Sequence, residues 1–300
     1  MGQLRATAGV PTRADAELVA CGILAGTRMT RDRELRMSER TAYGPGEFCW
    51  VDLASPDVDV AATFYGDLLG WEREPYEPDP QGYWYFRRDG KRVAGLETFR
   101  MAGQVAAWLG YVSVDDVTAT VGKAGEAGGT VLAGPLDVPG EAGSMAVCQD
   151  TEGAVFGLWQ PGELKGAQLV NEPGCWTWNN LMSRDVDAAM DFYGRVFGWT
   201  AAQPEGAPGY IWNWQVEGQR WPEGLAGLMR MGTDMPPDAP PYWQVYLMVE
   251  SADGAVEKNK AAGGSLIYGP IDLPIARMAV IVDPQGANVA LLESRYPEPR

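Results

Sequence analysis

Histidine is absent from this 300-residue chain. Its absence removes every Ser-His and Cys-His nucleophile pair and the commonest side-chain ligand of transition metals. The four cysteines, Cys21, Cys49, Cys148 and Cys175, are scattered without a CxxC pair. A chain with a sizeable core needs no disulfide staples, so a reducing, cytoplasmic setting is expected. No apolar run approaches the roughly 20 residues that span a bilayer, which excludes a transmembrane helix. Leu18-Val19-Ala20-Cys21 matches a lipoprotein cleavage box, but the preceding segment lacks the apolar core that such a signal requires. Positive charge is scarce: 24 basic residues against 40 acidic ones give a net charge of −16. Nucleic acid would approach against that field, so neither it nor a membrane is expected as a partner. No Gly-rich loop is placed to cradle phosphates.

What is present is enough apolar sequence, 46% of the chain, for two medium domains with real cores. The first forty residues differ in sign from the rest, with seven arginines against five acids. Residues 1–43 are therefore expected to be a flexible extension, carrying one short helix near residues 13–25.

An internal repeat organises the remainder. Phe64-Tyr65-Gly66-Asp67-Leu68-Leu69-Gly70-Trp71 returns as Phe192-Tyr193-Gly194-Arg195-Val196-Phe197-Gly198-Trp199, at an offset of 128 residues, and Asp57-Val58-Asp59 returns as Asp185-Val186-Asp187. Ala127-Gly128-Gly129-Thr130 matches Ala262-Gly263-Gly264-Ser265, Gly134-Pro135 matches Gly269-Pro270, and Met145-Ala146-Val147 matches Met278-Ala279-Val280. Ordered matches at such a long period describe duplicated domains, not a solenoid. The units are placed at 44–162 and 172–295, joined by a linker at 163–171 and followed by a tail at 296–300.

Within the first unit, Glu47 to Ala54 reads as a strand. Ser55 then offers a capping oxygen, Pro56 suits the first helical position, and Gly70 stands where the helix should stop. Tyr83 to Arg88 and Lys91 to Thr98 read as a hairpin about Asp89-Gly90, which supplies the positive φ angles of a tight turn. The pattern then restarts: a strand from Trp108 to Val114, a helix capped by Asp115 and running through Ala127, and strands at 130–132, 145–149 and 154–160. Each unit is thus two βαβββ modules, an α+β fold.

A strand, then Ser-Pro-Asp or Ser-Arg-Asp, then a helix ending in Phe-Tyr-Gly-x-x-x-Gly-Trp, then a second module closing on Asp-x-x-Gly-Ala, resembles the vicinal oxygen chelate superfamily. That superfamily includes glyoxalases, bleomycin-resistance proteins and ring-cleaving dioxygenases, and the resemblance covers residues 44–295. The run Asp150-Thr-Glu-Gly-Ala-Val-Phe-Gly-Leu-Trp-Gln160 is also similar to a two-domain actinobacterial branch named for a mycobacterial culture-filtrate antigen or called hydroxylases. The resemblance implies two tandem domains in which paired modules wrap a mixed sheet into a cup with the helices outside. Enzymes of the class hold a divalent metal in that cup.

The resemblance also places the superfamily's ligand positions, normally His, Glu or Gln. They fall on Trp50, Leu109 and Gly157 in the first unit and on Trp178, Gln244 and Ala290 in the second. Glu97 adds a carboxylate in the first unit, and Met229 takes its place in the second. A divalent ion needs three or four oxygen or nitrogen donors, and indole, leucine, glycine and alanine supply none. No metal and no cofactor is therefore expected.

If Trp50 and Trp178 face the cups, period-two alternation puts Asp52, Leu109 and Tyr111, and Asn180, Gln244 and Tyr246, on the concave faces as well. Twelve tryptophans are a heavy load. Tyr85, Trp159 and Trp212 join Trp50, Leu109, Trp178, Asn180, Gln244 and Tyr246 as candidate ligand-binding residues, because aromatic walls with sparse polar tips suit a flat, largely apolar molecule. The same rings would equally fill the cups or bury the join between units. Asp52, beside an indole, is the leading candidate for proton transfer, with Tyr111 and Glu97 as partners. It would alternatively be tied to backbone or to an arginine such as Arg87.

Two function classes follow. One is a metal-independent isomerase, cyclase or lyase of secondary metabolism acting on an aromatic or natural-product molecule. The other is a binding protein that sequesters such a molecule, as in drug self-resistance. Metal-dependent glyoxalase or dioxygenase chemistry ranks third. The partner in each case is a small molecule, and the chain is a monomer or homodimer.

Overall fold

The first strand ends, and the first helix begins, where backbone N–H groups find a carboxylate. In the computed structural model, which describes residues 38–295 except 80, 101–102, 204–208, 217–224, 234 and 274–275, β1 spans Phe48–Ser55 and α1 spans Val58–Leu69. Asp57, not Ser55, caps that helix: its carboxylate accepts from the N–H groups of Asp59 and Val60 at 3.0 and 3.1 Å. The strand simply runs on through Ser55, so Pro56 precedes the cap. Gly70 closes the helix in the left-handed conformation, as the sequence suggests. The cap of α2, Val117–Glu126, is shifted too, by one residue, with Asp116 in place of Asp115. The expected helix near 13–25, the lipoprotein-like box and the 296–300 tail lie outside the described residues.

Strands β2 (Glu72–Pro75), β3 (Tyr83–Arg88), β4 (Lys91–Thr98), β5 (Ala107–Ser113), β6 (Thr130–Val138), β7 (Gly143–Gln149) and β8 (Val155–Pro161) complete the first unit. The hairpin has the expected bounds, with Asp89 and Gly90 both at positive φ. The eight strands form one mixed sheet in the order β2-β3-β4-β1-β5-β8-β7-β6. Each βαβββ module returns its last strand parallel to its first, and the modules meet where β1 runs antiparallel to β5. The second unit repeats this order with β9 (Trp176–Ser183), α3 (Val186–Phe197), β10 (Thr200–Ala202), β11 (Ile211–Gln215), β12 (Ala226–Arg230), β13 (Tyr242–Met248), α4 (Ala252–Ala261), β14 (Ser265–Leu273), β15 (Ala276–Val282) and β16 (Asn288–Ser294). Each sheet curves into a cup, with the helices on its convex side.

The two convex sides share one core. Phe48 of the first unit packs edge-on to Trp243 of the second, with ring centroids 5.0 Å apart. Trp71, Trp108, Trp199, Trp214 and Trp243 all lie in this common cluster, so much of the tryptophan load serves packing. The repeated motifs tie the units reciprocally. Tyr65, from the first Phe-Tyr-Gly, donates to Asp283 at 3.0 Å; Tyr193, from the second, donates to Asp150 at 3.0 Å. The Trp71 indole N–H reaches the Gly174 carbonyl at 2.6 Å, and that of Trp199 reaches Gly46 at 3.0 Å. Residues 163–171 are not a loose tether: Ala167 N–H donates to Cys49, Gln168 N–H to Arg92, and Val170 N–H to Ser38. Residues 38–40, inside the segment expected to be flexible, pair with 168–170 in this way.

Candidate functional site

The concave face of the first unit is assembled by register. Trp50 lies opposite Tyr111 and Asp52 opposite Leu109 across β1 and β5, while Tyr111 lies opposite Gly157 and Ser113 opposite Trp159 across β5 and β8. On the other side Asp52 faces Gly95, Gly95 faces Tyr85, and Glu97 faces Tyr83. Strand pairing therefore gathers Trp50, Asp52, Tyr85, Glu97, Leu109, Tyr111 and Trp159 on one face. The two edges of the sheet approach each other across the cup, because the Tyr76 hydroxyl after β2 donates to the Pro139 carbonyl after β6. On the outermost strand, β6, Leu136 is 56% exposed.

Asp52 sits on the floor, 4% exposed. Its carboxyl accepts from the hydroxyls of Tyr111 and Tyr83. Arg87 is elsewhere, paired with Glu74 at 2.6 Å. Burial, and then the charge of Glu97, push the Asp52 carboxyl well above the usual carboxylate range, against the pull of its two phenol donors. Glu97 stands nearer the rim and is raised chiefly by burial, while Arg100, 3.2 Å away, restrains the shift. Arg100 also reaches Asp79 at 2.9 Å. Tyr111 and Tyr83 are raised by burial and by Asp52, so both keep their hydroxyl protons at neutral pH. The floor is thus a carboxyl pushed toward its protonated form with phenol donors on two sides, beneath a wall of Trp50, Tyr76, Tyr83 and Tyr85 whose rings lie edge-on. Tyr83 and Arg100 are the members that sequence reading misses.

The second cup is built differently. Asn180 stands opposite Gln244, and Trp178 opposite Tyr246. At the positions of Glu97 and Tyr83 stand Met229 and Ile211, which pair with each other. Met182, Met229, Met231, Met235 and Met278 pack with Tyr246 and Tyr268 into a buried apolar cluster, and Trp178 lies against it. Trp212 is not part of this face. It pairs with Leu228, which pairs with Leu181, and packs against the core shared by the two units.

The metal positions test poorly for a metal. Trp50 donates its indole N–H to Tyr83 at 2.9 Å and offers no lone pair in return. Leu109 has no donor atom. A Cβ on Gly157 would fall 2.2 Å from the Tyr111 ring, so that ring fills the space a ligand side chain would need. Among the described residues no group of three or more His, Cys, Asp or Glu side chains converges. Gly157→Ala should therefore overpack the cup floor and lower stability by about 1–3 kcal/mol. Thermal melting checks this, and an unchanged midpoint would show that Tyr111 does not occupy that space.

Comparison with known proteins agrees with this architecture. Residues 50–159 match the model of the glyoxalase-like domain, and residues 177–291 match that of the glyoxalase/bleomycin resistance protein/dioxygenase superfamily. CFP32 of Mycobacterium tuberculosis, a candidate glyoxylase, is 37% identical over 267 residues, covering 86% of this chain and 98% of that one. The chain belongs to the glyoxalase/bleomycin resistance/dioxygenase superfamily. Within it, the anthracycline biosynthesis protein DnrV of Streptomyces peucetius is 33% identical over 279 residues, covering 86% of this chain and 97% of its own length. Among solved structures, the Mn(II)-bound glyoxalase of Novosphingobium aromaticivorans superposes with a TM-score of 0.57 at 15% identity, covering 84% of this chain and 83% of that one. The 2,3-dioxygenase LapB of Pseudomonas sp. KL28 gives 0.57 at 14% identity, covering 86% and 96%. These two share the superfamily fold. No helix among the described residues is long and apolar enough to cross a membrane.

Proposed function

We propose that the first cup binds a flat aromatic or natural-product molecule and converts it by acid–base chemistry that needs no metal, through isomerisation, cyclisation or elimination. The observation that carries this reading is Asp52: a buried carboxyl, hydrogen-bonded by Tyr111 and Tyr83, on the floor of a cup whose ligand positions hold Trp50, Leu109 and Gly157. A carboxyl raised well above the ordinary carboxylate range is shifted toward general acid–base work. Tyr111 orients a substrate oxygen, and Glu97, closer to the rim, takes or returns a second proton. Trp50, Tyr85, Leu109 and Trp159 provide the apolar walls. Anthracyclines are aromatic natural products, and the kinship with DnrV and its Streptomyces sp. C5 counterpart DauV, both anthracycline biosynthesis proteins, supports a place in secondary metabolism.

A second reading, sequestration without conversion, is favoured by the depth of Asp52, whose oxygens are already engaged by two phenols. In that reading the methionine-rich second cup and its Trp178, Asn180, Gln244 and Tyr246 are packing, and the first cup simply holds its ligand.

Deleting the gene in its source and profiling extracts separates the two. Accumulation of an aromatic precursor with loss of its product marks conversion. An unchanged profile with reduced tolerance of an aromatic natural product marks sequestration. Elemental analysis of the purified protein should find transition metal well below one ion per chain. One tightly held ion per chain would overturn the metal-free part of the reading.

A further inference from the structure

Tyr83 is placed as though to serve Asp52. Its hydroxyl accepts the Trp50 indole N–H at 2.9 Å and donates to the Asp52 carboxyl. That uses one acceptor position and the single donor proton of a phenol, so Tyr83 has no proton left for a ligand. Tyr111 reaches the same carboxyl from β5. Room for this arrangement comes from one missing side chain: a Cβ on Gly95 would lie 1.9 Å from the Tyr83 hydroxyl and 2.8 Å from the Asp52 Cβ.

The second unit supplies an internal control. Ile211 stands at the Tyr83 position and Asn180 at the Asp52 position. There the Trp178 indole N–H is buried without a hydrogen-bond acceptor. Loss of the carboxyl and loss of the phenol go together, and an indole N–H is left stranded.

We infer that Tyr83 is a positioning residue: the chain Trp50 to Tyr83 to Asp52 fixes the Asp52 carboxyl and leaves Tyr111 as the one phenol that can turn to a substrate. The inference rests on the reading of Asp52 as the proton carrier. In this arrangement the indole sets the rotation of the Tyr83 hydroxyl, so its proton points at the carboxyl and not into the cup. Tyr111, which reaches the carboxyl from β5, is then the phenol that exchanges Asp52 for a substrate oxygen. The groups facing Asp52 are Tyr83 from β3, Glu97 from β4, Tyr111 from β5 and Arg100 from the segment after β4, with Asp79 behind Arg100.

The test is NMR on the full chain, with carbon-13 in the aspartate carboxyls and nitrogen-15 in the indoles, Trp50 being assigned through Trp50→Phe. In the wild type the Trp50 indole resonance should move with pH at the same midpoint as the Asp52 carboxyl, above the ordinary carboxylate range. Tyr83→Phe removes a donor to the charged form. It should raise the Asp52 midpoint by roughly one pH unit, the size of one hydrogen bond to a charged group. The Trp50 resonance should then cease to follow. Asp52→Asn should leave that resonance folded in position but without the titration, which separates the effect from any loss of structure. An unmoved Asp52 midpoint in Tyr83→Phe, a Trp50 resonance that still tracks Asp52 without Tyr83, or one that never tracks it in the wild type would each overturn the inference. Continued product formation by Asp52→Asn is a different result, and it would remove Asp52 from the chemistry instead.

Discussion

Asp52→Asn is expected to abolish conversion while making the protein more stable at neutral pH. On the activity side, removing a positioned acid or base typically costs about 10²- to 10⁴-fold. The amide keeps the shape of the side chain and an acceptor for Tyr111 or Tyr83, so ligand binding should survive. The stability side follows from linkage. Burial raises the carboxyl above its ordinary value of 3.8, so the folded protein holds a proton that the unfolded chain releases. Stability from this group is therefore fully present below about pH 4 and is lost as pH rises toward the folded-state titration. Asparagine has no such titration. The variant should be more stable than the wild type near pH 7, by about 0.5–2 kcal/mol if the site behaves like other activity–stability compromises. The difference should vanish below about pH 4. Thermal melting at pH 4 and pH 7, beside product formation by chromatography, checks both halves. Unchanged turnover would remove Asp52 from the mechanism, and a wild type that is more stable than the variant at pH 7 would show that the carboxyl is ionised and well paired.

Tyr83 was missed although Tyr85, two residues on, shares its face, because the turn alone argues against both. The Asp89-Gly90 turn fixes the hairpin, and counting back from it pairs Tyr83 with Leu96, whose side chain packs in the core on the other face. The structure instead has a register shift between Phe86 and Arg87, so Tyr83 faces Glu97 and Tyr85 faces Gly95. One extra residue in one strand reverses every side chain beyond it. Trp212 was misplaced by a related difficulty. It repeats Trp84, which pairs with Leu96 on the convex side, and an aromatic on a strand does not declare its face without a register. Trp50, Asp52 and Tyr111 were legible because the resemblance places Trp50 and Leu109 at ligand positions, and period-two alternation carries that face along β1 and β5, which pair across the middle of the sheet. The caps themselves were off by one or two residues. Several Ser and Asp residues offer capping oxygens there, and only the end of the strand decides among them. The methionine filling of the second cup was not legible. Met182, Met229 and Met278 lie on three different strands and Met231 and Met235 beyond β12, so only the folded sheet brings them together.

The strongest sequence signals of all, the two Phe-Tyr-Gly and two Asp-x-x-Gly motifs, turn out to join the units and not to build the site. Asp150 shows why these motifs repeat. One carboxylate oxygen accepts the N–H groups of Glu152, Gly153 and Ala154, each at 2.9 Å, and the other accepts Tyr193 from the opposite unit. Asp283 does the same for Gln285, Ala287 and Tyr65. Trp243 and Trp108 then donate to the two tyrosines at 2.8 and 2.9 Å, extending each tie into the aromatic core. Asp150→Ala strips four donors of their acceptor at once, several of them buried. The expected cost is on the order of 3–5 kcal/mol, since a buried donor left unmade costs about 1–3 kcal/mol and loop relaxation recovers part of it. For a chain of this length that is a fall of about 10 °C in the melting midpoint. Asp150→Asn keeps the oxygen that serves the three backbone donors and should recover most of the loss. Because the core is common to both units, tryptophan fluorescence and far-ultraviolet circular dichroism should report one coincident transition in the wild type. An Asp150→Ala midpoint within 2 °C of the wild type, roughly the scatter of such melts, would deny the tie its structural role. Two separate wild-type transitions would show instead that the units fold independently and that the motifs merely dock them.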